Sequence, residues 1–126
     1  MEREVPILSE VAKTRTGEVT IPLSVLNETE RPMSAVLYAY LKFYAEPKYG
    51  ILIASRNDLR KLLKRKTARP VDDAVAELLE KGFIKRVEVF VLLDPKTGEI
   101  PERHEYTEVP GKMRRSLGHA YEILTP

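Results

Sequence analysis

Residues 60–69 carry the strongest chemical signal in the chain. They read RKLLKRKTAR, so six of the ten side chains are basic and none is acidic. The run leads into a periodic apolar segment, VDDAVAELLEKGFI, whose helical pattern ends at Gly82. A positive segment at the start of a helix can set that helix against a phosphate backbone, which predicts nucleic-acid binding. The alternative is that these cations form only a solvated helix face.

The charge is unevenly distributed along the chain. The 126 residues include 21 basic and 19 acidic side chains, for a net charge of +2. Without the six cations of residues 60–69, the rest of the chain would carry about four negative charges. This favours a localised basic footprint over general attraction to polyanions.

Several classes of site are excluded by composition. The chain has no cysteine, which excludes disulfides, thiolate zinc sites and cysteine nucleophiles. His104 and His119 are far apart in the sequence and fit no recognised metal spacing. No glycine-rich phosphate loop or serine nucleophile motif is present. We therefore expect no catalytic residues, no metal and no cofactor, and the chain is not predicted to be an enzyme.

The apolar runs are short. The longest, ILIA and VFVLL, are far below the roughly 18 to 20 residues that span a bilayer, and MEREVPILSE lacks a signal-peptide pattern. We expect a cytoplasmic protein with no membrane partner. Glutamine is absent while Glu, Lys and Arg are plentiful, a bias found in heat-adapted proteins.

Helical periodicity and turn signals predict three helices and a strand. Apolar residues at helical spacing predict a helix over residues 34–45, and ILIA at 51–54 predicts a short strand. Ser55 is placed to cap a second helix, with Asp58 three residues later. Thr67 is expected to cap the third helix, with Pro70 in its first turn.

The segments after the third helix predict a hairpin and a further helix. Residues 85–93 are strand-like, DPKTG at 94–98 is a turn, and residues 99–109 can return as the partner strand. Apolar residues at helical spacing predict a helix over residues 112–124. At the other end, residues 5–11 and 18–21 could pair as a small hairpin, or form an extended arm over the core or on a partner.

This order resembles a winged helix-turn-helix domain. SAVLYAYLKFYA followed by IASRNDLRKLLKRKTARPVDDAVAELLEKGFI is similar to the winged-helix domains of bacterial, phage and plasmid replication initiators and small transcription regulators. The resemblance implies an α+β fold with a three-helix core, a short strand and a β-hairpin wing. Residues 1–126 would form one domain, with an arm at 1–30, the core at 31–109 and an extension at 110–126. The core would include Leu37, Leu41, Leu59, Leu63, Val75, Leu78 and Ile84.

The resemblance also implies which residues meet DNA. The third helix would enter the major groove, while the preceding helix and the wing would touch phosphates. Arg69 is the best candidate for a bidentate guanine contact. The groove-facing set would be Lys66, Thr67, Ala68, Arg69, Asp72, Asp73 and Ala76. The phosphate contacts would be Arg56, Arg60, Lys61, Lys64 and Arg65, with Lys96 near the wing tip.

Acidic residues on the third helix depart from the family pattern. Asp72 and Asp73 stand where DNA readers more often carry basic or amide side chains, and Glu77 and Glu80 continue an acidic stripe. Near a helix N-terminus, an acid is stabilised by the macrodipole. On DNA, each would be repelled by phosphate unless it accepted a hydrogen bond from cytosine N4.

Three functions are therefore compared. The first is a double-stranded DNA-binding protein, either a transcription regulator or the origin-binding module of a replication initiator. A homodimer is expected, formed through residues 112–124 or the N-terminal arm. The second is a protein-interaction winged helix, in which the acidic stripe and the arm dock on a polymerase or replisome component. The third is an enzyme. Structured RNA is an alternative to DNA, because a basic patch attracts phosphate in either polymer.

Overall fold

A computed structural model describes residues 6–12, 17–45, 50–100, 106–107, 111–116 and 120–124. Within them, three helices are followed by one strand, two more helices and five strands. The architecture is α+β, as predicted. The helices are α1 (Leu8–Val11), α2 (Leu23–Glu28), α3 (Pro32–Tyr44), α4 (Arg56–Leu62) and α5 (Arg69–Glu80). The strands are β1 (Ile51–Ile53), β2 (Ile84–Val87), β3 (Phe90–Leu92), β4 (Tyr106–Thr107), β5 (Arg114–Ser116) and β6 (Ala120–Ile123).

The predicted helices at 34–45, after Ser55 and before Gly82 are confirmed as α3, α4 and α5. Helix α5 ends as predicted at Gly82, whose φ of 76° is accessible to glycine without a steric cost. The N–H of Gly82 donates to the carbonyl of Leu79, and the N–H of Phe83 donates to that of Leu78, at 3.2 and 2.9 Å. This pair of bonds satisfies the last carbonyls of the helix.

The core lies between α3, α5 and the first sheet. Six of the seven residues predicted for it are buried, and Leu63 lies partly buried at its margin. Tyr38 and Tyr121 are the largest fully buried side chains, and both belong to this cluster. No helix in the described residues is long and apolar enough to cross a membrane. The buried residues that were predicted are Leu37, Leu41, Leu59, Val75, Leu78 and Ile84.

The first sheet has the order β1-β6-β2, and both pairings are antiparallel. The last strand of the chain is therefore the central strand, with Tyr121 opposite Leu52 on one side and Arg86 on the other. The predicted helix over residues 112–124 is wrong, because this segment contains β5 and β6. Hydrogen bonds from two flanking strands, together with burial of Ala120 and Ile123, outweigh a helical pattern that is interrupted by a glycine in the sequence.

The second sheet has the order β4-β3-β5. The predicted strand over 85–93 is divided between the two sheets, because β2 pairs with β6 while β3 pairs with β4 and β5. The return pairing is correct only where Phe90 and Val91 face Thr107 and Tyr106. The turn at 94–98 is confirmed by the bond from the N–H of Gly98 to the carbonyl of Asp94, at 2.8 Å. Residues 101–105 and 108–109 of the predicted partner strand lie outside the described residues.

The N-terminal segment covers one edge of the first sheet. Ile7 forms a parallel bridge with Ile53, whose N–H donates to the carbonyl of Pro6 at 2.9 Å. Leu8 is buried in the core. The predicted hairpin between residues 5–11 and 18–21 is wrong, because residues 8–11 form α1 and no strand occurs at 18–21. The arm instead lies over the core, the alternative that the sequence left open. Helix α2 was not predicted.

Candidate nucleic-acid interface

Helix α4 begins with the predicted cap. The Ser55 Oγ accepts a hydrogen bond from the N–H of Asp58 at 3.1 Å, which satisfies one of the free donors of the first turn. Leu59 is fully buried and anchors the helix to the core. Arg60 and Lys61 lie in the last turn, where positive charge is favourable beside the helix C-terminus.

Arg60 holds the turn between α4 and α5. We call this turn and the helix ends beside it, residues 60–69, the basic turn. The guanidinium of Arg60 donates to the carbonyl of Arg65 at 3.0 Å and to the Asn57 Oδ1 at 2.8 Å. The N–H of Arg65 donates back to the carbonyl of Arg60 at 3.0 Å. These bonds enclose Lys64, whose φ of 55° is unusual for a residue other than glycine. Arg60 was predicted to contact phosphate, and the structure gives it the additional role of fixing the basic turn.

The remaining cations of the turn point into solvent. Within the described part of the chain, the side chains of these residues form no ion pair, and all five are exposed. Unpaired, closely spaced cations on one turn create a field that is favourable for a polyanion. The five are Lys61, Lys64, Arg65, Lys66 and Arg69.

Arg56 joins the first turns of α4 and α5. Its Nη1 lies 3.4 Å from the Asp72 Oδ1, and its side chain is only 26% exposed. Arg56 was predicted to contact phosphate, but the structure pairs it with one of the two aspartates that depart from the family pattern. The charge of Asp72 is therefore partly offset by an internal partner.

Helix α5 starts without the predicted side-chain cap. Its N-cap residue is Ala68, with φ −79° and ψ −23°, and no side chain caps the helix. The prediction that Thr67 caps the helix is wrong. Because the backbone of Ala68 is already helical rather than extended, the geometry that lets a cap hydroxyl reach the first-turn N–H groups is missing. Pro70 lies in the first turn as predicted, and Thr67 is left exposed for other contacts.

Glu77 is buried, which corrects its assignment to an exposed acidic stripe. It is only 4% exposed. Its carboxylate accepts hydrogen bonds from the N–H of Glu30 at 2.7 Å, the N–H of Arg31 at 3.3 Å, the hydroxyl of Ser34 and the Nζ of Lys81 at 2.9 Å. Burial alone would raise the pKa of Glu77, but the bonds from Lys81, Ser34 and the two backbone groups lower this pKa to about 2.

This carboxylate fixes the position of α5. It joins the C-terminal half of that helix to the N-terminus of α3, whose free N–H groups and macrodipole favour a negative charge. The sequence contained a signal for this role, since Glu77 borders the apolar stripe and precedes Lys81 by four residues. The pair of Arg56 and Asp72 holds the start of α5, and Glu77 holds its C-terminal half. The basic turn is therefore attached to a helix that is fixed at both ends.

An open groove of about 470 Å³ lies between the first turns of α3 and α5. Most of its lining surface is apolar, and the lining includes two arginines, one at the start of each helix. Arg31 was not predicted as a site residue, because a single arginine ahead of a helix has no distinctive spacing. The lining residues are Arg31, Pro32, Met33, Thr67, Arg69, Pro70 and Asp73.

Comparisons with protein-family models, curated proteins and solved structures give no significant match. The site must therefore be interpreted from its own geometry. Lys96 is exposed in the turn of the second sheet, where its N–H donates to the Asp94 Oδ1 at 2.8 Å, so it shares no element with the basic turn. No group of three or more metal-binding side chains occurs among the residues that the structure describes. His104 and His119 lie outside them.

Proposed function

We propose that the chain is a double-stranded DNA-binding protein with a winged helix-turn-helix core, acting as a transcription regulator or as the origin-binding module of a replication initiator. The observation that carries the proposal is the basic turn, with five exposed cations that have no ion-pair partner among the described residues. The cations of such a cluster repel one another in the free protein, and contacts with phosphate relieve that repulsion.

The order of elements supports the winged-helix core. Helix α3, strand β1, helices α4 and α5 and then antiparallel strands follow one another as in the resemblance. The two strands that pair after α5 are β2 and β6, and the second sheet is inserted between them in the sequence. In this proposal the inserted sheet enlarges the wing, and Lys96 lies in its exposed turn.

Helix α5 is suited to be the element next to DNA. Its buried face packs on α3, and Glu77 and Lys81 secure its C-terminal half. Its first turn carries Arg69, the last of the five exposed cations of the basic turn. A rigid helix with a cationic N-terminal end can be set against a duplex without a large ordering cost.

The alternative is a protein-interaction module. It relied on an acidic stripe along the third helix, but Glu77 is buried and Asp72 is paired with Arg56. Its remaining support is the exposure of Leu23 and Leu26 on α2, which are 71% and 48% exposed. Weak, salt-insensitive DNA binding would favour this function.

A homodimer stays a prediction. The helix expected to form it at residues 112–124 does not exist, because β6 occupies the centre of the first sheet. A dimer that forms through β6 would have to displace β1 or β2 from the first sheet, whereas β5 lies at an edge of the second sheet. Light scattering at several protein concentrations measures the oligomeric state directly.

The test is a salt series on a mixed-sequence DNA duplex, followed by fluorescence anisotropy. If all five cations neutralise a phosphate, log K should fall with log salt with a slope of about −4.5. The triple variant Lys64→Ala, Lys66→Ala, Arg69→Ala should make the slope shallower by about 2.7.

The matched control removes three cations outside the basic turn and the inserted sheet, as Lys42→Ala, Lys85→Ala, Arg86→Ala, at the same cost in net charge. It should leave most of the slope intact. No binding at low salt, or an equal loss in both triple variants, would refute the basic turn as the DNA-binding surface. Tighter binding to an RNA hairpin than to the duplex would assign RNA as the polymer.

A further inference from the structure

One of the cations that line the groove between α3 and α5 is not needed for any ion pair inside the protein. The guanidinium of Arg31 lies 4.0 Å from the Glu77 Oε1, and its side chain is 52% exposed. Glu77 is already paired with Lys81 at 2.9 Å and accepts several other hydrogen bonds. Because the carboxylate is satisfied without it, the Arg31 side chain is available to an external anion, while its backbone N–H is held by Glu77.

A second cation borders the same groove from the other helix. Arg69 is exposed, and its side chain has no ion-pair partner in the described part of the chain. The half-buried Asp73 carries the groove's one opposing charge among its lining residues. Two guanidinium groups and one carboxylate leave a net positive charge, and guanidinium groups match the geometry of phosphate.

The floor of the groove is suited to a sugar. The apolar residues of its lining are Pro32, Met33 and Pro70, and Thr67 adds one hydroxyl. At about 470 Å³ the groove is as large as pockets that bind small molecules, so it has room for a nucleotide-sized group. A lining that combines apolar and cationic groups suits a nucleic-acid strand, which carries both sugars and phosphates.

We infer that this groove binds a sugar–phosphate segment of the DNA backbone, with Arg31 and Arg69 on one phosphate. The inference rests on the proposed DNA-binding function and deepens it. It differs from the family-based expectation in one respect, because Arg69 then contacts phosphate rather than guanine. Arg69 would position the strand and contribute little to sequence choice.

The experiment repeats the duplex salt series with three single variants. Arg31→Ala should weaken binding, but it should make the salt slope shallower by less than the value of about 0.9 for one lost phosphate, because Arg69 still contacts that phosphate. Pro32→Glu places a negative charge at an exposed first-turn position, where helices tolerate acids, and should also weaken binding. Asp73→Asn should tighten binding, on the order of fivefold at low salt, because it removes a charge that repels phosphate. Thermal melting confirms that each variant is folded, and Lys42→Ala, which removes a cation of α3 outside the groove, the basic turn and the wing, is the control.

The outcomes separate the two proposals. Absence of binding by the wild type would refute the DNA-binding function itself. Binding by the wild type with unchanged affinity and slope in Arg31→Ala and Pro32→Glu would overturn the groove and leave the function standing. Weaker binding by Asp73→Asn would also overturn it, since Asp73 would then accept a hydrogen bond from a base. Finally, Arg69→Ala should weaken binding to all duplexes equally, and a loss confined to sites containing one particular guanine would contradict the inference.

Discussion

Replacement of Glu77 by glutamine should destabilise the protein at neutral pH. The change keeps the shape of the side chain but removes the charge that faces Lys81 at 2.9 Å and turns one acceptor oxygen into a donor. The pKa of Glu77 is lowered from 4.5 to about 2. At about 1.36 kcal/mol per pKa unit, its surroundings favour the charged form by about 3 kcal/mol. This matches the 3 to 5 kcal/mol that breaking a buried pair typically costs.

The pH dependence identifies the cause. Because the pKa of Glu77 is lower in the folded protein, its contribution to stability is complete above about pH 4.5 and is lost as the pH falls toward about 2. The difference in unfolding free energy between wild type and Glu77→Gln should therefore be about 3 kcal/mol at pH 7 and should shrink through this window.

Urea unfolding followed by circular dichroism at pH 7, 4.5, 3.5 and 2.5 measures this difference. Glu80→Gln is the matched control, because Glu80 is an exposed carboxylate on the same helix, and it should change stability by less than about 0.5 kcal/mol. A loss in Glu77→Gln as small as that of the control would refute the buried carboxylate as a support of α5. A large loss that stays constant from pH 7 to 2.5 would show that shape, not charge, is responsible.

Two further predictions concern the core and the last strand. The hydroxyl of Tyr38 donates to the carbonyl of Leu124 at 2.7 Å, whereas that of Tyr121 is buried with no partner among the described residues. Thermal unfolding should therefore show a loss of about 1 kcal/mol for Tyr38→Phe and no loss for Tyr121→Phe, and equal losses would contradict these contacts. Removal of residues 112–126 should abolish cooperative unfolding, because β6 joins β1 to β2; a truncated chain with an intact melting transition would show that the sheet does not need it.

Elements with local signals could be predicted from the sequence. Helix α4 is an example, because the Ser55 hydroxyl and the Asp58 N–H that cap it are three residues apart. The end of α5 at Gly82 is another, since only the backbone conformation of that residue and the preceding turn decide it. In each case the interacting groups lie within one turn of each other, so the pattern in the sequence contains the cause.

Elements that depend on distant partners could not be predicted in the same way. Residues 120–123 form a strand because two strands, one of them about 70 residues earlier in the sequence, bond to both sides of it. Glu77 is buried because α3 brings the backbone of Glu30 and the hydroxyl of Ser34 to it. The candidate groove depends on the same packing, which places Arg31 beside Arg69. The periodicity of apolar residues within one segment contains no information about these contacts between distant segments.

The acidic residues of α5 are the strongest argument from the sequence against its approach to DNA, because they would repel phosphate. In the structure, pairing, burial and distance reduce this repulsion for all but one of them. Asp72 is paired with Arg56, so its field is reduced at the start of the helix. Glu77 is buried on the opposite side from solvent and is neutralised by internal donors. Glu80 lies in the last turn, about 16 Å from the start of the helix at 1.5 Å per residue. Among the acids of α5, Asp73 is the one that is close to the basic turn and has no ion-pair partner in the described residues, so its replacement by asparagine is the most direct test of whether phosphate binds there.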